Sequence, residues 1–171
     1  MKFMLKTLLF ALLSTHSLYA FNTKDSGDIL LAALASSAYG STFYCDDKEG
    51  REMYYKSFLA NTLLTYGLKY SINRTRPNGE EHSFPSGHSS LSFQSASFIH
   101  KRYGLSYASI AYLGAMFVGY SRVDAGVHYK SDVIAGAVIG VCSSFYFTKK
   151  YKNISLEPIA NGYGVMIKTK F

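Results

Sequence analysis

Three stretches of 16 or 17 residues without a single charge, Ile29–Cys45, Leu105–Ser121 and Val133–Thr148, constrain this chain more than anything else in it. They are rich in Ala, Leu, Gly and aromatic residues and far longer than an ordinary strand, so they read as helices. Two further helices are predicted around them. Over 52–71, Tyr55, Phe58, Leu59, Leu63 and Leu64 recur at three- and four-residue steps. Over 89–101, a segment carrying Leu91, Phe93 and Phe98 follows the Pro85-Ser86-Gly87 turn. The expected fold is therefore all-α, a bundle of about five helices. After the basic run Lys149-Lys150-Tyr151-Lys152, which suits a helix C-terminus, the pattern changes to alternation. Ile154, Leu156, an Asn161-Gly162 turn, Val165, Ile167 and Thr169 predict a C-terminal β-hairpin within 154–171.

The first twenty residues, MKFMLKTLLFALLSTHSLYA, set Lys2 and Lys6 before an apolar run and end on Leu18-Tyr19-Ala20. That is the pattern of a cleavable secretory signal, leaving one domain over residues 21–171. An uncleaved anchor helix is the alternative, and both imply export to a periplasm or envelope surface. Without the signal the formal charge falls from +7 to 16 − 11 = +5, a balance that suits anionic partners. No arginine-rich tract or aromatic-studded basic stripe is present, so nucleic acid is not an expected partner. The uncharged stretches fall short of the roughly 20 residues that cross a bilayer, and mean hydropathy is only +0.02. A soluble or surface-associated domain is expected, with Tyr, Lys and Arg at helix ends fit for peripheral membrane contact. Cys45 and Cys142 are the only cysteines. In an oxidising compartment they could pair or stay as separate buried thiols, and two cannot make a zinc site alone.

The chemistry lies in three segments, KYSINRTRP (69–77), FPSGH (84–88) and SRVDAGVHYKSD (121–132). His128 and Asp132 are four apart, so on a helix they would share a face and the carboxylate would take the Nδ1 proton of the imidazole. Nε2 would then be free to attack phosphorus and form a phosphohistidine. Arg122 and Arg76 can each offer a planar fork to two phosphate oxygens, while Lys69 adds a point charge about two helical turns before Arg76 and on nearly the same helix face. Three fixed cations can stabilise phosphoryl transfer electrostatically, so no metal and no cofactor is expected. Ser86 and Gly87, at a turn that starts a helix, are placed to touch the anion. His88 at the same turn could protonate the departing oxygen and later activate water. Arg51, Lys56, Arg74, Lys101 and Arg102 read as solvated, and His82 and His100 as exposed or structural.

In order and spacing the three segments resemble the signature motifs of the type 2 phosphatidic acid phosphatase family, over roughly residues 50–145. That resemblance implies the helical core shared with bacterial acid phosphatases and vanadium haloperoxidases. It also implies a site made of Lys69, Arg76, Ser86, Gly87, His88, Arg122, His128 and Asp132, the set reached above from chemistry. Lys130 stands where many members carry Pro. The membrane members usually have six spans, which this chain does not offer.

The expected activity is therefore an exported, metal-independent phosphomonoesterase. Its substrate would be a phosphorylated lipid of the bacterial envelope or, as the alternative, a small soluble phosphate ester. Two other classes stand beside it. A pocket shaped for phosphate also holds vanadate, so a vanadium-dependent haloperoxidase would use the same residues, and a non-catalytic anion-binding module would keep the pocket without turnover.

Overall fold

The computed structural model describes residues 22–151, 154–159 and 162–167. The expected signal over 1–20 and Asn161 of the expected turn lie outside the described residues. Five helices are described, α1 Thr23–Tyr44, α2 Lys48–Ile72, α3 Gly87–Tyr103, α4 Leu105–Asp124 and α5 Lys130–Phe147. Two strands follow, β1 Ile154–Ile159 and β2 Gly162–Ile167. They pair antiparallel with Ile154 opposite Ile167 and Leu156 opposite Val165, as the alternation predicts. The class is all-α with this small appendix, and each expected helix is present.

Local caps carry several helices beyond their apolar stretches. Asn22 accepts the Lys24 N–H at 2.7 Å and starts α1 before its apolar run. Asp47 accepts the Gly50 N–H at 2.8 Å to start α2, and Ser86 Oγ takes the Ser89 N–H at the head of α3. At the start of α5 the Asp132 carboxylate accepts the Tyr129 N–H at 2.9 Å.

Helix α3 is central and packs against all four others, yet its buried side chains are largely small and polar: Ser89, Ser90, Ser92, Gln94, Ser95 and Ser97 beside Ala96 and Phe98. Small side chains let helix axes come close, and Gly136 and Gly140 of α5 take this furthest. A Cβ on Gly136 would overlap the carbonyl oxygen of Ser86, which caps α3, and one on Gly140 that of Ser90 in its first turn. The head of α3 is thereby fixed against the head of α5, which places the 84–88 and 128–132 segments side by side. Some of the buried hydroxyls bond across the helices: Ser144 donates to the Gln94 carbonyl at 2.6 Å and Thr65 to Ser90 Oγ at 3.0 Å, whereas Ser143 Oγ has no partner.

The other end of α3 is closed by an ion pair. Arg102, only 2% exposed, donates from Nε and Nη2 to the two Asp47 carboxylate oxygens at 2.6 and 2.5 Å and from Nη1 to the Lys149 carbonyl at 2.9 Å. Tyr103 donates to Asp47 as well, at 3.0 Å. Burial alone would raise the Asp47 carboxyl, but bonds from Arg102, the Gly50 N–H and Tyr103 overcome it and hold it below the usual carboxylate value. Arg102 is therefore not the solvated side chain its sequence context suggests; its partner lies 55 positions away.

Cys45 is half-buried and Cys142 exposed, both as free thiols, so they form neither a pair nor two buried groups. No helix among the described residues is long and apolar enough to cross a membrane. Leu59, Leu63, Tyr66 and Tyr70 nevertheless form an exposed stripe along α2, and Ile110, Leu113 and Phe117 another on α4.

Candidate active site

His128 and Asp132 meet at the junction between α4 and α5, though not as two residues on one helix. His128 precedes α5, while Asp132 sits in its first turn. Their direct separation, Nδ1 to Oδ2, is 3.7 Å. Ser83 bridges the gap, its Oγ donating to Asp132 Oδ2 at 2.6 Å and lying 3.5 Å from His128 Nδ1. Asp132 is wholly buried and has a further partner in Arg74, whose Nη1 donates to Oδ1 at 2.9 Å. The Arg74 guanidinium also lies 4.1 Å over the Tyr129 ring. Arg74, read from the sequence as a solvated cation, thus belongs to the support of the carboxylate. Ser83 directly precedes the 84–88 segment, but a lone serine outside the motif gives no sign in the sequence that it reaches Asp132.

Lys69 is on the last turn of α2, where Asn73 ends the helix in the left-handed region at φ 39°. Arg76 consequently stands in the following loop, and the expectation that the two share a helix face is corrected. Both still converge on His128. Lys69 is 8% exposed and donates from Nζ to the His82 carbonyl at 2.7 Å. Burial, reinforced by Arg76 and only partly opposed by Asp132, pulls its amine down to about 8. Arg76 uses Nη1 on Glu80 at 2.7 Å, whereas its Nε is buried without a partner. A buried guanidinium N–H without an acceptor is costly and rare; an anion bound here would satisfy it. His128 itself is pushed down to about 4, first by burial and then by the Lys69 and Arg76 charges, with Asp132 pulling the other way. It is neutral at neutral pH, the form able to act as a nucleophile.

At the head of α3, Gly87 and His88 are its first two residues and so have no helical acceptor for their N–H groups. A Cβ at Gly87 would meet nothing within 4 Å, so the approach to these donors is open. Ser86 differs from expectation in its backbone, since its N–H is used on the Asp132 carbonyl at 3.0 Å. Its side chain accepts from Ser89 Oγ at 3.1 Å, which leaves the Ser86 hydroxyl proton for an anion. His88 lies with Nε2 2.9 Å from Asp28 Oδ1. Burial and the nearby Arg122 charge lower its pKa from the usual 6.5, while Asp28 works in the opposite direction. Arg122, on the last turn of α4 and 1% exposed, reaches the same Asp28 oxygen at 2.7 Å. Asp28 carried no signal in the sequence: it lies at the start of α1, outside every motif.

An apolar groove opens beside this cluster. Leu31, Phe58, Thr62, Tyr66 and Leu91, from α1, α2 and α3, line a cavity of about 250 Å³ that ends on Gly87 and His88.

A helical core that sets two histidines, a carboxylate and several cations at adjoining helix ends defines a class, that of helical proteins with an oxyanion site at the head of a central helix. Residues 78–155 match the family model of the PAP2 superfamily. The match contains the second and third segments; the 69–77 segment lies before it. The chain is 40% identical over 77 residues to the lipid A 1-phosphatase of Porphyromonas gingivalis, covering 43% of this chain and 17% of that protein. It is 32% identical over 107 residues to the lipid A 4'-phosphatase of Helicobacter pylori, covering 53% and 54%. It is also similar to the crystal structure of Aquifex aeolicus LpxE, with a TM-score of 0.57, 26% identity and coverage of 70% of this chain and 84% of that one. The chain spans between 17% and 54% of the length of these curated relatives.

Proposed function

We propose that this protein is a phosphomonoesterase acting on a lipid phosphate at the bacterial envelope, without a metal, through a phosphohistidine on His128. The observation that carries the reading is the state of His128: a neutral, buried imidazole backed by Asp132 and Ser83 and surrounded by cations with donors to spare. In the first step Nε2 of His128 attacks phosphorus and the ester oxygen leaves with a proton from His88. Asp132 stabilises the imidazolium character that develops on His128. Lys69, Arg76 and Arg122, with the Ser86 hydroxyl and the N–H groups heading α3, gather the charge on the equatorial oxygens. In the second step water, deprotonated by His88, cleaves the phosphorus–nitrogen bond and frees phosphate.

Three things support a lipid substrate over a soluble ester. Relatives are named for phosphatase activity on lipid A, the groove reaching His88 is lined largely by apolar side chains, and α2 presents an exposed apolar stripe beside it. An interfacial placement outside the cytoplasm fits the expected leader and the exposed Tyr and Leu side chains. The decisive experiment measures phosphate release with EDTA present from p-nitrophenyl phosphate, phosphatidate and lipid A, with His128→Ala as control. Turnover of the lipids lost in the variant, and acid-labile phosphate trapped on the wild-type chain after a quench at high pH, are the expected results. Release that needs added metal, or that survives His128→Ala, would overturn the mechanism; preference for the soluble ester would overturn the substrate.

A further inference from the structure

Lys24, Gly27 and Asp28 stand at i, i+3 and i+4 on α1, hence on one face of that helix. All three meet Arg122. Its Nη2 donates to the Lys24 carbonyl, its Nη1 to Asp28 at 2.7 Å, and its Nε to Ser121 Oγ at 3.1 Å. Gly27 is what permits the approach, because a Cβ there would overlap Ser121 Oγ and stand 2.6 Å from Arg122 Nη2. A guanidinium has five N–H donors. Three are held by these anchors, which leaves one N–H on each terminal nitrogen for a phosphate. The same Asp28 oxygen is 2.9 Å from His88 Nε2, so one atom links the arginine of the third motif to the histidine of the second.

We propose that Asp28 is a positioning residue of this site, tying Arg122 and His88 together through Oδ1 so that His88 presents Nδ1 to the departing ester oxygen. The proposal rests on the phosphatase reading and adds a second histidine–carboxylate pair to it. Asp132 serves the nucleophile and Asp28 serves the proton donor. The carboxylate also neutralises Arg122, a nearly fully buried cation whose single carboxylate partner is Asp28 among the described residues, and a buried charge of this kind is stable only when paired. The charged groups acting on His88 are Arg122 and Arg76, which disfavour its protonated form, and Asp28, which favours it.

The test is Asp28→Asn in the full chain, with two readouts. The first is the ratio of kcat on phosphatidate to kcat on p-nitrophenyl phosphate. An alkoxide needs a proton to leave and a nitrophenolate scarcely does, so the ratio is expected to fall by about tenfold or more. The second is the His88 titration followed by NMR in the free protein, expected to move to lower pH. It needs no turnover, so it decides the role of Asp28 even if the protein hydrolyses nothing. A folded variant with the wild-type ratio and titration would overturn the proposal. So would one that binds inorganic phosphate more tightly and turns over both substrates faster, since Asp28 would then be a competitor for the anion site. Where Asp28→Asn does not fold, the same two readouts on Asp28→Glu, which keeps the charge and displaces the oxygen, decide by the same criteria.

Discussion

The two ends of α3 each hold buried arginine, and they use it in opposite ways. At the C-terminal end Arg102 has every nitrogen engaged, on Asp47, Glu49, the Lys149 carbonyl and the Met53 sulfur. Charge and donors are matched, and nothing remains for a ligand. At the N-terminal end Arg76 has a buried Nε without a partner, Arg122 keeps two N–H donors, and Lys69 is driven toward neutrality by burial and a neighbouring cation. Positive charge is left in surplus there. A cluster that closes on itself holds a fold together, whereas one that stays open costs stability until an anion completes it.

The largest effect should come from removing the group around which the open end is arranged. His128→Ala is expected to lower phosphate release by about ten-thousandfold or more, as deletion of a nucleophile does, with no loss in thermal midpoint. Single-turnover phosphate release beside a melting curve measures both. An equal fall in the two would mean that His128 is a packing residue and would erase the contrast between the ends.

Next in size is the opposite experiment. Arg102→Ala leaves Asp47 buried and unpaired, and breaking such a pair costs about 3–5 kcal/mol. Denaturant unfolding should register that loss while kcat per folded molecule stays within about threefold, a tolerance of under 1 kcal/mol. Replacing both partners, Asp47→Asn with Arg102→Met, should recover much of the stability, because no lone charge is then left behind. A large fall in kcat for the folded protein would show that the two ends are coupled through α3.

How legible this contrast was in the sequence depends on how far apart the partners lie. Helices declared themselves through uncharged runs and apolar periodicity, both local signals, while the caps Asn22 and Asp47 that start α1 and α2 earlier than those runs came only with the structure. The eight candidate residues that the structure brings to adjoining helix ends were legible too, since motif spacing carries them. What stayed hidden was every contact between distant segments: Arg74 on Asp132, Arg102 on Asp47, Asp28 on Arg122 and His88. A lone Arg or Asp reads as solvated unless its partner is known, and these partners are 55 to 94 positions away. The shared helix face assigned to Lys69 and Arg76 failed for a local reason, the left-handed Asn73 that ends α2 between them.

A smaller effect, with the sign reversed from the Arg102 case, is expected at Lys69. Its folded-state pKa of about 8 lies below the ordinary 10.5, so below pH 8 the folded protein carries a charge its surroundings disfavour. Lys69→Met should therefore raise stability at pH 7, by about 1–3 kcal/mol at 1.36 kcal/mol per pKa unit and allowing for the lost bond to His82. The gain should shrink as pH rises from 8 to 10.5, where the wild-type lysine is already neutral when folded. Phosphate binding should weaken at the same time. A destabilised variant would mean that Lys69 is satisfied as Arg102 is, and that the open end is less open than its geometry implies.

The finest distinction is in the pH profile of kcat/KM, which reports the free enzyme. Catalysis needs His128 neutral and His88 protonated. The acid limb should lie near pH 4, where His128 takes up its proton, and the alkaline limb below the ordinary histidine value of 6.5, because burial and Arg122 hold His88 down. The optimum is thus acidic and narrow. Asp132→Asn removes the one charge that raises His128, so its acid limb should move to still lower pH while the alkaline limb stays. In the profile of kcat the bound phosphate adds negative charge beside His88, and the alkaline limb should move up, toward or beyond 6.5. An alkaline limb with the same midpoint in both profiles would mean that the incoming anion does not reach His88, and that the surplus charge at this end of α3 is completed by something other than a phosphate ester.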